Sequence, residues 1–401
     1  MGKKVVLAFS GGLDTSFCTK YLSSEKGFEV YTVIVNTGGF DDEELKEIEK
    51  KAYEFGSSHH INLDAQREYY EKCIRYLIFG NVLRNRNYPV SVSSERSFQA
   101  MKVIEYAEKM SIPVIAHGST GAGNDQVRFE SMAMILDPKM QVLAPIRELA
   151  ISREEEINWL KNHDLDYTAQ KGKYSINKGL WGTSVGGQET LTSHMELPEE
   201  AFMNPVNKQG SELITLEFSR GEPVAFNDEK YDDKVALIKA LDKTASAYGV
   251  GRDIHVGETI IGIKGRVGFE AAAARVLIDA HYHLEKNVLS KWQQYWKEQL
   301  GNWYGMFVHE AQFLEPSMRD IELFLESTQR NVSGKVSVRL RPYTYNITGI
   351  ESPHDLMDPE FARYGEENLD WTSEDVKGFT KIMSNASKIY YSVNKDELDN
   401  I

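Results

Sequence analysis

The sequence has 401 residues, 41% of them hydrophobic, a formal net charge of −14 and two cysteines. Such a length allows two or three domains with cores of their own, yet no run approaches the ~20 apolar residues of a membrane span. Two cysteines exclude a disulfide framework or a thiolate-rich metal site, and a pI near 5.3 argues against a nucleic-acid partner held through phosphate contacts.

The first element is an apolar run of strand length, Val5-Val6-Leu7-Ala8-Phe9, stopped by Ser10-Gly11-Gly12. A helical pattern begins at once, with Leu13, Phe17, Tyr21 and Leu22 on one face. Strand, tight turn and helix start together present backbone N–H groups and the positive end of a helix dipole to an anion. Ser10, Thr15 and Ser16 add hydroxyls, and Asp14 is placed to brace the loop or face a metal. The loop lacks the Gly-Lys-Ser/Thr of a kinase-type phosphate loop. A strand from the fourth or fifth residue leaves no room for a signal peptide, so a reducing cytoplasm is the expected compartment.

Farther along, residues 29–36 read as a strand, 42–55 as a helix with a charged solvent face, 58–63 as a third strand and 68–79 as a helix. A polar stretch over 80–94 precedes a helix carrying Met101, Ile104, Ala107 and Met110. Residues 112–117 form a short strand, 118–124 a second Gly-rich loop, a helix starts near Asp125, and 141–145 supply another strand. The alternation to about residue 150 predicts a parallel sheet covered on both faces, with ligands at the carboxyl ends of its strands. Ser152-Arg153-Glu154-Glu155 is a capping box for the next helix.

From 163 to 207 the periodicity fails in a long polar stretch. Beyond it the pattern predicts an α+β region: a hairpin over 213–226, a helix over 233–248, a strand at 260–263, one long helix over 270–299, a helix over 317–330 and strands near Val336 and Tyr345. Trp292, Tyr295, Trp296 and Trp303 read as core or subunit interface. The tail from Asp375 is too weakly apolar to fold alone, so it docks back or packs on another subunit. The division expected is 1–165, 166–370 and a C-terminal arm, 371–401.

The second loop is dense in chemistry: His117-Gly118-Ser119-Thr120-Gly121-Ala122-Gly123-Asn124-Asp125-Gln126-Val127-Arg128. A carboxylate beside an amide and a hydroxyl suits the ammonium of an amino acid, and an arginine with backbone N–H groups suits its carboxylate.

Ser10-Gly11-Gly12-Leu13-Asp14-Thr15-Ser16 resembles the pyrophosphate loop (PP-loop) of the ATP pyrophosphatases, adenine nucleotide alpha hydrolase-like proteins that split ATP between its α- and β-phosphates. The second loop is similar to the Thr-Gly-Lys-Gly-Asn-Asp-Gln-Val-Arg-Phe-Glu signature of one branch of them, the argininosuccinate synthase family. The likeness continues in Tyr174-Ser175-Ile176-Asn177, Leu180-Trp181-Gly182-Thr183-Ser184, Gly249-Val250-Gly251-Arg252 and Gly262-Ile263-Lys264-Gly265-Arg266. The resemblance implies an α/β nucleotide-binding domain, an α+β synthetase domain and an oligomerisation arm in a cytoplasmic homotetramer. The implied reaction condenses citrulline with aspartate, using ATP and Mg²⁺ and releasing AMP and pyrophosphate.

By the same resemblance Ala8, Phe9, Ser10, Gly11, Gly12, Leu13, Asp14, Thr15, Ser16, Val35, His117 and Gly118 hold ATP. Thr120, Asn124 and Asp125 hold aspartate, and Tyr88, Ser93, Asn124, Arg128, Ser175 and Ser184 hold citrulline. Asp125 is expected to orient the aspartate amine. The sequence departs from the family pattern at Ala122, where a lysine is usual, at Gly257, where a citrulline-binding glutamate is usual, and at Phe269, where a tyrosine is usual. Lys173, Lys178 and Lys264 are candidates for the missing cation. A tRNA-modifying pyrophosphatase would want a basic surface or catalytic cysteines, and a non-catalytic nucleotide-binding regulator would not need the loop from Thr120 to Arg128.

Overall fold

A computed structural model of the chain describes residues 2–165, 167, 174–357 and 370–398. Two compact units divide it, Met1–Ser352 and Pro353–Ile401.

The larger unit begins with β1 (Lys3–Ala8), α1 (Leu13–Ser24), β2 (Phe28–Asn36), α2 (Asp42–Glu54) and β3 (His59–Asp64). There follow α3 (Gln66–Tyr69), α4 (Arg75–Phe79), α5 (Ser91–Lys109), β4 (Val114–Ala116), α6 (Asp125–Leu136), β5 (Gln141–Leu143), α7 (Pro145–Leu149) and α8 (Arg153–Lys161). All strand pairs here are parallel, in the order β3-β2-β1-β4-β5. Alternate residues of β1 feed opposite faces: Val5 and Leu7 pack with Phe17, Ile34 and Leu45, whereas Val6 packs with Val33, Val35, Phe98 and Ile104. Burial on both faces explains why the strand reads as a continuous apolar run.

The order reverses between β1 and β4, the two strands that lead into the Gly-rich loops. A crevice opens at such a switch point, so both loops reach one edge. The helix expected over 68–79 is present with a π turn at Tyr70–Ile74. The polar stretch before the next helix ends sooner than its composition suggested. α5 starts at Ser91, and its serines 91, 93, 94 and 97 are buried.

The rest of the unit holds β6 (Ser175–Asn177), β7 (Thr183–Gly186), β8 (Glu212–Ser219), β9 (Glu222–Phe226), β10 (Glu229–Lys230) and α9 (Lys234–Ser246). Then come β11 (Arg252–Glu258), β12 (Lys264–Glu270), α10 (Ala272–Val288), α11 (Lys291–His309), α12 (Pro316–Thr328), β13 (Gly334–Arg341) and β14 (Thr344–Glu351). They form two antiparallel sheets, β10-β9-β8-β13-β14 and β11-β12-β7-β6. The polar stretch after 163 thus contributes two short strands to a sheet.

Two expectations fail here. The residues read as a strand at 260–263 form the turn of the β11–β12 hairpin, where Gly262 sits at φ +81° and Glu258 pairs with Lys264. A turn of positive φ stops a ladder whatever the β-propensity of its neighbours. The single long helix is two, because Leu289 is extended and Ser290 starts α11 with a capping box to Gln293. Trp292, Tyr295, Trp296 and Trp303 are each more than half exposed, so they are not core of this chain.

The smaller unit contributes α13 (Ser373–Met383), α14 (Asn385–Val393) and α15 (Lys395–Leu398). Neither of its two longer helices has a buried residue.

Candidate active site

The first loop is shaped by a close approach to α2 and by a hydroxyl brace. Gly11 takes φ +73°, and a Cβ there would meet Ile48 of α2 at 3.0 Å. Gly12 caps α1 in extended conformation, and Thr15 Oγ1 donates to Gly12 O (3.2 Å) and accepts from Ser10 N (3.4 Å). The second loop lies against the first: a Cβ on Gly118 would be 3.2 Å from Thr15 Cγ2 and 3.3 Å from Asp14 Cβ. Two glycine loops and a helix start at one sheet edge make a cradle of backbone donors fit for a polyphosphate.

Behind the cradle, burial pushes the Asp14 carboxyl up more than Arg153 pulls it down. Glu156 is buried with one carboxylate oxygen unpartnered, and burial, then the charge of Asp14, pushes it up to about 8. His117 is buried, and its Nδ1 accepts from Ser119 N at 3.2 Å, which puts the ring proton on Nε2, 3.8 Å from Glu130. Burial pushes this imidazole down to about 4, so it is neutral.

Asp125 opens α6 at the junction of three segments. Its Oδ1 accepts from Arg128 Nη1 (2.9 Å) and its Oδ2 from Arg96 Nε (3.2 Å). Burial raises its carboxyl, but Arg96 and Arg128 outweigh that and hold it below the usual carboxylate range. Arg96 also donates to Asn177 of β6 (2.9 Å) and to Gln99 (2.7 Å), whose amide reaches Val35 O (3.4 Å) and Thr37 Oγ1 (3.2 Å). Arg128 donates to His309 O (3.0 Å), Arg84 to His309 Nε2 (2.7 Å), and Ile260 N to Asn124 Oδ1 (2.9 Å). A continuous polar path thus runs from the end of β2 through Arg96, Asp125 and Arg128 to the β11–β12 hairpin.

The residues expected at a citrulline site fall around this path. Tyr88 and Ser93 lie at the start of α5, Tyr88 against Phe269 with ring centroids 5.4 Å apart. Ser184 is paired with Asn177 on one side and Phe269 on the other. Ser175 shares a face of β6 with Asn177 by strand alternation. Thr120 and Ala122 are exposed on the second loop. Lys178 is engaged by Glu44 (2.7 Å) and Lys264 by Glu258, while Lys173 lies outside the described residues. Sequence reasoning passed over Arg147, which lies against Gly121 (3.5 Å to a Cβ there) and is held by Gln126 (3.1 Å) and Glu130 (2.5 Å). It also passed over Arg84, Gln99, His255 and His309, which come from distant segments with no motif around them.

Among the described residues no three His, Cys, Asp or Glu side chains gather as a metal site. A Mg²⁺ here suits a donor set made mainly of substrate phosphates and water, with at most one carboxylate such as Asp14.

The chain matches two family models, the arginosuccinate synthase N-terminal HUP domain over residues 4–166 and the arginosuccinate synthase C-terminal domain over 174–390. It is 36% identical to a protein of Methanocaldococcus jannaschii named argininosuccinate synthase, over 97% of this chain and 98% of that one. Proteins of the same name from Pyrobaculum aerophilum (37%, over 95% and 96%) and Xanthomonas campestris (36%, over 98% and 99%) are similarly alike.

Proposed function

The chain belongs to the argininosuccinate synthase family, and from that premise we propose that it condenses a ureido substrate, citrulline, with aspartate through an adenylated intermediate. A ureido oxygen is a poor nucleophile and its carbon resists amines. Attack of that oxygen on the α-phosphorus of ATP forms the O–P bond and expels pyrophosphate. The α-amine of aspartate then attacks the activated carbon, losing a proton, and AMP leaves with the C–O bond.

The assignments carried by the resemblance are proposed with it. Ala8 to Ser16, Val35, His117 and Gly118 take the nucleotide; Thr120, Asn124 and Asp125 take aspartate; Tyr88, Ser93, Asn124, Arg128, Ser175 and Ser184 take citrulline. Backbone amides of the first loop offset the charge gathering on pyrophosphate, and Arg147 stands in for the lysine missing at Ala122. Asp14 would share a Mg²⁺ with the phosphates, and the ion would supply further charge neutralisation. Asp125, kept ionised by two arginines, orients the ammonium of aspartate. Positioning of three reactants carries most of the rate. A cytoplasmic homo-oligomer, a tetramer by resemblance, with a nucleotide-binding domain over 1–165, a synthetase domain over 166–370 and an arm over 371–401, completes the reading.

The observation that carries it is the lysine-free loop packed at Thr15 against Gly118, at the start of the segment that ends in the Asp125 cluster. Incubation with ATP and citrulline, with and without aspartate, tests it by chromatography. AMP and pyrophosphate that depend on both amino acids support the reading; ADP as the main product overturns it.

A further inference from the structure

One buried group on the substrate wall has no part in the scheme above. His255 of β11 is 5% exposed, and among the described residues neither of its ring nitrogens has a hydrogen-bond partner. Its ring stacks on Tyr88 (centroids 4.8 Å apart, planes at 27°), and Tyr88 meets Phe269. Burial, reinforced by the charge of Arg84, pushes its pKa down to about 4. The imidazole is therefore neutral, with one N–H to donate and one lone pair to fill. Buried polar atoms normally find partners, and a bound ligand is one way for such an imidazole to acquire them.

His255 also decides what residue 257 can be. A Cβ on Gly257 would lie 2.8 Å from His255 Nε2 and 3.2 Å from Asn85 Nδ2, so the imidazole fills the space a side chain would use. No carboxylate can stand there while the ring does. The neighbouring carboxylates are engaged elsewhere. Asp253 accepts from Asn87 (3.0 Å) and Ile254 N (2.7 Å), Glu258 pairs with Lys264, Glu270 with Arg252 (3.3 Å), and Glu310 with His309 (3.0 Å) and Arg84 (3.7 Å). Opposite them, Arg84 and Arg128 both bond His309. This wall offers neutral hydrogen-bonding atoms and guanidinium charge, and among the described residues no free counter-ion for an ammonium.

We propose that His255, with Gly257 and Phe269, forms the far end of the ureido-substrate pocket and reads the substrate there without recognising an α-ammonium. The substrate class is then the ω-ureido carboxylates, with or without an α-amine. The inference rests on the reading above, in which Tyr88, Arg128 and Ser184 surround that substrate.

The test compares kcat/KM for L-citrulline and for 5-ureidopentanoate, its des-amino analogue, by AMP release at saturating ATP and aspartate. The expected kcat/KM for the analogue is no more than about fivefold below that for citrulline. A larger preference for citrulline overturns the proposal, because an ammonium read by a charge-assisted bond is worth more than that. The double variant His255→Ala, Gly257→Glu frees the space and fills it with a carboxylate. It should shift the ratio toward citrulline by about tenfold or more, and an unchanged ratio in folded variant also counts against the assignment. AMP from neither compound, in protein that still binds ATP, overturns the synthase reading itself rather than the specificity drawn from it.

Discussion

Asp125 carries its charge between two guanidinium groups, so an amide in its place leaves one of Arg96 and Arg128 facing a neutral oxygen and the other facing an NH2 that cannot accept. Loss of a charge-assisted bond to an ammonium costs ~1.5–3 kcal/mol. Asp125→Asn should therefore lower kcat/KM for aspartate by about tenfold to a hundredfold, and leave ATP affinity within about twofold; equal losses for both in a binding assay would reject the role. Glu95 poses a different question. It is buried, its carboxylate lies where a Cβ on Gly179 would be, and burial pushes it up to about 8 against the pull of Arg96. The folded state thus keeps a proton that the unfolded chain has released, so this contribution to stability is full below about pH 4.5 and is lost as pH rises through about 8. Glu95→Gln removes the titration. Between pH 5 and pH 8 its Tm, followed by calorimetry, should fall by about 2–4 °C less than that of the parent; parallel curves would show that Glu95 is ionised in the fold. Of the residues around this site, Asn124, Asp125 and Arg128 were legible because they sit within five positions of one another. His255, His309 and Arg84 were not, because a sequence gives no distance between segments more than a hundred residues apart.

Elements meet backbone to backbone where α11 crosses the end of α4. A Cβ on Gly301 would lie 2.2 Å from Gly80 O and 3.1 Å from Gly80 Cα. Alanine in a helix ordinarily gains ~1 kcal/mol over glycine, but two main chains cannot rotate aside as a side chain can, and overpacking costs ~1–3 kcal/mol or more. Overpacking wins, so Gly301→Ala should lower Tm by about 3 °C or more; a rise would mean the two helices separate at little cost. The legibility of the elements follows the same local physics. Strands with both faces buried announce themselves as apolar runs, and β1 and β2 were read in that way, whereas β3 is an edge strand without a buried residue. The β11–β12 turn misled because Ile260, Ile261 and Ile263 favour strands, and only the positive φ of Gly262, which composition does not reveal, turns the chain. The break before α11 was within reach: Ser290 followed three residues later by Gln293 is a capping box, hidden because apolar periodicity continues on both sides. Why the two antiparallel sheets take their strand orders was beyond local pattern, since pairing β7 with β12 joins residues about eighty positions apart.

At the scale of the whole molecule, the smaller unit raises the question of what covers it. Thr372 caps α13 with Asp375, so the helix start is well made, yet the helix is 11 residues long and α14 only 9. Isolated helices shorter than ~12–15 residues are marginal in water. Their apolar side chains are exposed: Phe379 64%, Ile382 78%, Met383 71%, Ile389 58% and Val393 76%. Val376, Phe379 and Met383 recur at helical spacing, which makes one stripe rather than scattered residues. Such a face is stable only when covered, and closed symmetric assembly of identical chains is the usual way to cover it. The aromatic face of α11, with Trp292, Tyr295, Trp296 and Trp303 more than half exposed, adds a second surface of the same character. We therefore expect a homo-oligomer in which the segment after Thr372 is buried against another copy. Each chain brings a net charge of −14, so long-range repulsion opposes assembly while apolar contact drives it. Salt screens the first within about 8–10 Å and strengthens the second. Mass by light scattering should accordingly be a multiple of the chain mass and hold or rise between low and moderate salt. Truncation after Thr372 should reduce it to a smaller species while near-ultraviolet dichroism of the larger unit persists. A truncated chain of unchanged subunit number would place the interface elsewhere, and an assembly that falls apart as salt rises would mean that ion pairs rather than these apolar faces hold the copies together.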